Sequence, residues 1–362
     1  MATSKNNLLL GTRKGLIIYK RESASWKHDS THFLGIPVSL SFIDERTDTW
    51  WACLDHGHWG VKLHRSVNQG KDWEEIEAPK IPEGEEIKEG VPASVTYIWA
   101  FSHGGMDRPG VLYLGTDPGA LFKSEDNGDT WHIVKSLWDH PSRKTQWFGG
   151  GRDNPGIHSI IVDPRDSRHI YLGISCAGVF ETKDEGATWN PANKGMTAEF
   201  LPKPEAEVGQ DPHLVVGSPS NPDVLWNQNH CGIFVTHDGS KNWKPVHEKG
   251  GVANFGFAIA VHEENPDMAW VVPGISDEIR VAVDKAMCVC RTSDGGKSWT
   301  AFRKGLPQEN CYDIVYRHAL AIDGNSLVFG STTGNVYTSN DLGESWSLVS
   351  SDLPMVYSVE LG

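Results

Sequence analysis

An eight-residue pattern, Ser/Thr-x-Asp-x-Gly-x-Ser/Thr-Trp, recurs along the chain and limits its fold more than any other feature. One copy holds Ser124, Asp126, Gly128, Thr130 and Trp131. Others hold Thr182, Asp184, Gly186, Thr188 and Trp189; Thr292, Asp294, Gly296, Ser298 and Trp299; and Ser339, Asp341, Gly343, Ser345 and Trp346. Two looser copies end at Trp73, with Asn68 for the aspartate, and at Trp243, with Ser240 for the glycine. A degenerate one ends at Trp26. A period near fifty residues is the signature of a repeat architecture. The flanks repeat as well. Short β-rich runs such as 111–115 and 120–122, or 169–173 and 178–180, precede each copy, and an earlier run such as 159–162 or 319–322 precedes those. With the segment after each tryptophan, every repeat reads as four strands. Four strands in seven repeats predict an all-β, seven-bladed propeller in a single domain, 1–362. Residues 7–20 lack a first strand before them and 355–361 lack a second strand after them. The two ends are therefore expected to pair, close the ring and remove an open sheet edge.

Composition narrows the function. Thirty-three Lys and Arg against 47 Asp and Glu leave a net charge of −14, which argues against nucleic-acid or anionic-membrane partners. No apolar run approaches a membrane span, and the start of the chain lacks a secretory hydrophobic region, so a cytoplasmic protein is expected. The six cysteines are scattered and read as free thiols, without zinc-ribbon spacing.

The octapeptide resembles the Asp-box, or BNR repeat, of sialidases, sortilin-type receptors and photosystem II assembly factors. The whole chain, including Gly11, Thr12, Arg13, Lys14 and Gly15, resembles bacterial Asp-box propellers of the glycosyl hydrolase-like or sialidase-like kind. The resemblance implies that the octapeptide lies on the hairpin between third and fourth strands, away from the functional face. Its residues imply a structural role: Asp and Ser/Thr bond turn amides, Gly takes a left-handed backbone and Trp fills the blade. A sialidase would also need an arginine triad, for which Arg13, Arg280 and Arg317 are available, and a tyrosine nucleophile, for which Tyr312 is. The Arg-Ile-Pro signature is absent and sialidases have six blades, so a true exo-sialidase is not expected.

Candidate site residues come from aligning the repeats. His158, His213 and His318 each lie five residues before the end of a first strand, so they share a register. The turns between second and third strands place Arg13, Cys176 and His230 at one level, and add Asp55, His58, Asp117, Gln228 and Asn229. A blade-six insertion carries Asp277, Glu278 and Arg280. Long lead-in loops contribute Trp147, Arg152, Asp153 and Asp211, and Tyr312, Arg317 and His318 precede the last blade. Three chemistries fit. His158, His213 and His230 suit one divalent metal ion, zinc, manganese or iron. Asp277 or Glu278 with Asp55, Asp117, Asp153 or Asp211 suits glycoside hydrolysis by paired carboxylates. The His, Tyr and Arg set suits a carbohydrate lyase. A non-catalytic binding or assembly scaffold is the fourth reading. The expectation is a small polar ligand, a saccharide or related metabolite, with hydrolase-type chemistry.

Overall fold

A computed structural model describes residues 5–23 and 25–362. The degenerate octapeptide ending at Trp26 runs through Ala24, outside the described residues. The protein is built of seven four-stranded antiparallel sheets, the blades of a seven-bladed β-propeller. Blade three shows the pattern: Tyr97–His103, Leu112–Asp117, Leu121–Ser124 and the short outer strand His132–Ile133. Blade four repeats it with Ile157–Val162, Ile170–Ile174, Gly178–Thr182 and Asn190–Pro191. The chain forms two compact units: residues 1–41, 216–239 and 244–362, and residues 42–215 with 240–243.

In the second unit, the middle strands carry apolar side chains on both faces because each blade is covered on both sides. Tyr113, Leu121, Trp147, Ile157, Leu172 and Phe180 form one buried cluster. Gly115 sits where the next blade's first strand crosses. A Cβ there would lie 2.6 Å from the Ile157 side chain, so the absence of a side chain sets the blade spacing. In the first unit, Leu8, Leu10, Trp270, Phe329, Val336, Trp346 and Val356 share another core.

The termini complete blade one. Strand Val356–Leu361 pairs antiparallel with Asn7–Thr12, from Leu8 opposite Leu361 to Thr12 opposite Val356. The rest of that blade is Gly15–Glu22 and Ser25–His32.

The octapeptide is a hydrogen-bonded turn between third and fourth strands. Thr182 Oγ1 donates to Asp184 Oδ1 at 2.7 Å and accepts the Gly186 N–H at 2.9 Å. Asp184 then accepts the Thr188 N–H at 2.9 Å and its hydroxyl at 2.7 Å. The copies at Asp126, Asp294 and Asp341 repeat this set. The residue before the glycine is also left-handed, at φ 59° for Asn127, 60° for Glu185 and 59° for Leu342, a strain the sequence pattern does not announce. The tryptophans reach the neighbouring blade in two copies. Trp243 Nε1 donates to Ala192 O at 2.8 Å and Trp299 Nε1 to Val246 O at 2.7 Å.

Removal of Val356–Gly362 is expected to lower the melting temperature by more than about 10 °C. It strips away the buried Val356, Val359 and Leu361, all under 6 % accessible, and exposes the Asn7–Thr12 strand they cover, at about 1.5–3 kcal/mol for each lost side chain. Scanning calorimetry of the truncated chain checks this. The hydrogen bonds from Thr188 and Ser298 hold the carboxyls of Asp184 and Asp294 down at about 2. Their contribution to stability is complete above the ordinary carboxyl range near 4 and is lost as pH falls toward about 2. Asp184→Asn with Asp294→Asn should flatten the stability profile in that window, read by chemical denaturation at pH 2, 3, 4 and 6.

Candidate functional site

The second unit gathers several of the expected residues around a buried acid. Asp117 ends the second strand of blade three and is 3 % accessible. A carboxylate so deeply buried needs partners. Arg152, on the loop leading into blade four, donates Nε to Asp117 Oδ2, and Asn154 Nδ2 lies 3.4 Å from Oδ1. The same guanidinium lies over two rings of blade three's first strand, 4.3 Å from the Tyr97 centroid and 5.3 Å from that of Trp99. Asp117 and the two rings thus fix Arg152 on three sides, while its side chain keeps 36 % of its accessibility. Trp99 in turn meets the edge of His158, centroids 5.7 Å apart.

A cleft of about 280 Å³ adjoins this group. Its floor includes Pro118, Gly119, Trp147, Asn154 and Pro155, and its rim carries Lys88, Lys144, Phe148 and Asp153. One short helix, Arg143–Gln146, and a small hairpin, Glu86–Lys88 with Val91–Pro92, line the far side, and the short helix Lys135–Trp138 stands behind them. Arg143 ties them together. Its guanidinium lies 3.7 Å from the Trp138 centroid and donates to the carbonyls of Trp138, Ile87 and Glu86. Burial pushes the Arg143 pKa down.

The other expected residues divide by environment. His158 is fully buried, with Nδ1 2.9 Å from Ser159 Oγ. The Ser159 oxygen also accepts the Val215 N–H, so this histidine braces strands. His213 is buried, its Nε2 3.8 Å from Asp211 Oδ2, and Asp211 Oδ1 accepts the Cys176 N–H at 2.9 Å. Of the three expected metal ligands, His213 thus has an acid partner in Asp211, while His158 is braced apart from it.

Gln228 is 1 % accessible, and its amide donates to the carbonyls of Asn229, Gly232 and Asn254. The Asn229 side chain, wholly buried, accepts the Cys231 N–H. The Gln228 amide thus serves turn structure, and the Asn229 side chain does so through its oxygen. Trp147 is likewise buried. It packs edge-on to Phe180 and donates Nε1 to Ser142 Oγ at 3.0 Å, so the exposed ring beside the cleft is its neighbour Phe148.

In the first unit, Arg280 and Arg317 both lie over the buried ring of Phe257. Their guanidinium carbons are 5.4 and 5.3 Å from the Phe257 centroid. Phe255 and Tyr316 meet Phe257 edge-on, and His230 meets Phe255. Asp277 and Glu278 are exposed, and the only contact of that pair is the Asp277 carbonyl accepting from Arg280 Nε among the described residues. They sit on a solvated loop and lack the burial that tunes a catalytic acid. Tyr312 is 55 % exposed, with Lys285 Nζ 5.9 Å from its ring. Arg13 is exposed in the blade-one turn, Asp55 ends its strand half-buried, and His58 stands edge-on to the exposed Trp59. His318 bridges to the last strand through its carbonyl, which accepts the Val359 N–H.

Register also puts Tyr97 near the level of the histidines; sequence reasoning passed over Trp99 as a platform and Lys88 and Lys144 as rim charges. The alternation of large rings on Tyr97, Trp99 and Phe101 was the available signal.

Arg152→Ala is expected to cost about 1–2 kcal/mol, because it strands the buried Asp117 while the arginine itself is partly solvated. Adding Asp117→Asn should recover part of that loss, as read from urea denaturation of the single and double variants.

No family model matches the chain. It is 25 % identical over 279 residues to an oligoxyloglucan-reducing end-specific xyloglucanase of Emericella nidulans, covering 67 % of this chain and 32 % of the relative. It is 25 % identical over 257 residues to the photosystem II assembly protein Ycf48 of a Synechococcus strain, covering 69 % of this chain and 59 % of the relative. The chain thus spans about one third of the first and under two thirds of the second. An ancestral GH74 enzyme superposes with a TM-score of 0.59 at 15 % identity, covering 96 % of this chain and 40 % of that structure, which is a likeness of fold. Among the chain's relatives by sequence are thus xyloglucanases and photosystem II assembly proteins.

Proposed function

We propose that this protein binds a saccharide in the cleft beside Arg152 and acts on it as a glycoside hydrolase. The observation that carries this reading is the Asp117–Arg152 pair laid on Tyr97 and Trp99 beside an aromatic-walled cleft. Sugar rings have apolar C–H faces and a rim of hydroxyls. A fixed guanidinium next to flat rings and a buried carboxylate matches both, and few convergent polar groups in an apolar cleft are the usual make-up of a small-molecule site. The similarity to a xyloglucanase supports the same ligand class.

His213, with Asp211 beside it, would supply ligands to a divalent metal ion. An imidazole and a carboxylate suit zinc, manganese or iron. A bound ion would supply Lewis acidity and a water of lowered pKa. The Cys176 N–H aims the Asp211 carboxylate whatever the occupant.

Titration calorimetry against xyloglucan oligosaccharides and a panel of other neutral and acidic oligosaccharides tests the reading. Binding of at least one member, weakened at least about tenfold (about 1.4 kcal/mol) by Arg152→Ala, is expected. No binding across the panel would favour a non-catalytic scaffold, as the assembly-protein relative suggests. Product analysis separates hydrolysis from elimination, since only elimination leaves an unsaturated sugar. For the metal, elemental mass spectrometry of untagged protein should find near-stoichiometric ion in the wild type and none in His213→Ala.

A further inference from the structure

The cleft beside Arg152 is a cationic spot on a chain of net charge −14. Lys88 and Lys144 line it from two separate elements, the small hairpin and the second short helix. Both are exposed, and among the described residues neither is hydrogen-bonded or ion-paired to a carboxylate. Most lysines and arginines of the same unit are paired: Lys62 with Glu75, Lys123 with Glu125 and Glu185, Lys135 with Glu85, and Arg165 with Asp163.

Arg143 adds a third charge at the back of the cleft. All its bonded acceptors are neutral carbonyls, so no carboxylate is hydrogen-bonded to its guanidinium. Against these three cations the lining holds a single acid, the exposed Asp153. The remaining walls are flat or apolar: Trp147, Phe148, Pro118 and Pro155, with the Asn154 amide among them. The volume of about 280 Å³ lies at the small end of ligand clefts and suits a single ring.

We propose that this cleft selects an acidic sugar unit, a uronate whose carboxylate is held by Lys88 and Lys144 and whose ring lies against Phe148 and the two prolines. The proposal rests on the saccharide reading above and gives it a substrate class. Lysines engage an anion as point charges without demanding one geometry, so the carboxylate is specified by charge and the sugar by the flat walls.

The test compares oligosaccharides that differ only in a terminal uronate or its neutral counterpart, together with the matching sugar phosphate, by titration calorimetry. The proteins are the wild type and the Lys88→Met, Lys144→Met double variant. Methionine keeps most of each side chain's length, and both sites are exposed, so the fold should persist; a melting temperature within a few degrees of wild type confirms it. The expected result is at least tenfold tighter binding of the uronate than of the neutral sugar by the wild type. That preference should vanish in the double variant while affinity for the neutral sugar stays the same. Equal affinity for uronate and neutral sugar overturns the inference and leaves the saccharide reading standing. Binding of the sugar phosphate without the uronate overturns it in favour of phosphate recognition. No binding of any sugar removes both.

Discussion

From the second blade to the seventh, each blade depends on a turn that the backbone alone would avoid. Two successive residues, such as Asn127 and Gly128 or Glu185 and Gly186, take a left-handed conformation, and only the glycine does so without penalty. The octapeptide aspartate offsets that strain by accepting one backbone N–H and one hydroxyl while the leading Ser or Thr caps the glycine N–H. The turn returns the chain as a fourth strand only two to four residues long in blades three, four and seven. Short outer strands offer little edge for unwanted pairing. In two blades the ring at the end of the octapeptide then donates to the preceding blade's backbone, as Trp299 does to Val246. Second-strand tryptophans reach the following blade, Trp226 to Pro266 and Trp270 to Leu342. One buried indole thus contributes both apolar area and a satisfied donor at each such junction.

This arrangement explains why the fold was legible and the site was only partly so. The octapeptide works through contacts spanning four residues, so its residue types recur at fixed spacing, and seven repeats with an unpaired strand at each end specify both blade number and closure. The site depends on contacts with no such spacing. Asp117 and Arg152 are 35 residues apart and belong to different blades. Nothing in either segment announces the other. Register correctly put His158 and His213 on the second position of their strands, but register cannot say what covers that position. At His158 it is Trp99 and Ser159, and at His213 it is Asp211. In the polar run from Asn227 to His230, Gln228 answers a tight buried turn whose carbonyls must be paired, and it alone serves three of them.

The two arginine–aromatic groups show how the same chemistry acquires different roles. Arg280 is exposed on a loop and rests on Phe257 with only a backbone carbonyl for a partner. Arg152 has a buried carboxylate and two rings, so its position is set before any ligand arrives. Preorganisation of this kind reduces the ordering cost of binding. It is the reason Arg152, and not the larger number of exposed acids, anchors the functional reading.

A net charge of −14 repels an acidic ligand at long range, which opposes a uronate site. The two effects act over different distances. At physiological ionic strength the field of the whole chain is screened beyond about 8 Å. Inside the cleft the separations are shorter and the walls of Trp147, Phe148, Pro118 and Pro155 hold back water, so Lys88 and Lys144 act through a weaker dielectric than the surface acids do. Salt therefore has opposite effects on the two halves of binding. It lowers the long-range barrier to approach and weakens the contacts once formed. Association rates that rise with salt while dissociation rates also rise would separate this arrangement from a purely cationic surface, where association slows as salt is added.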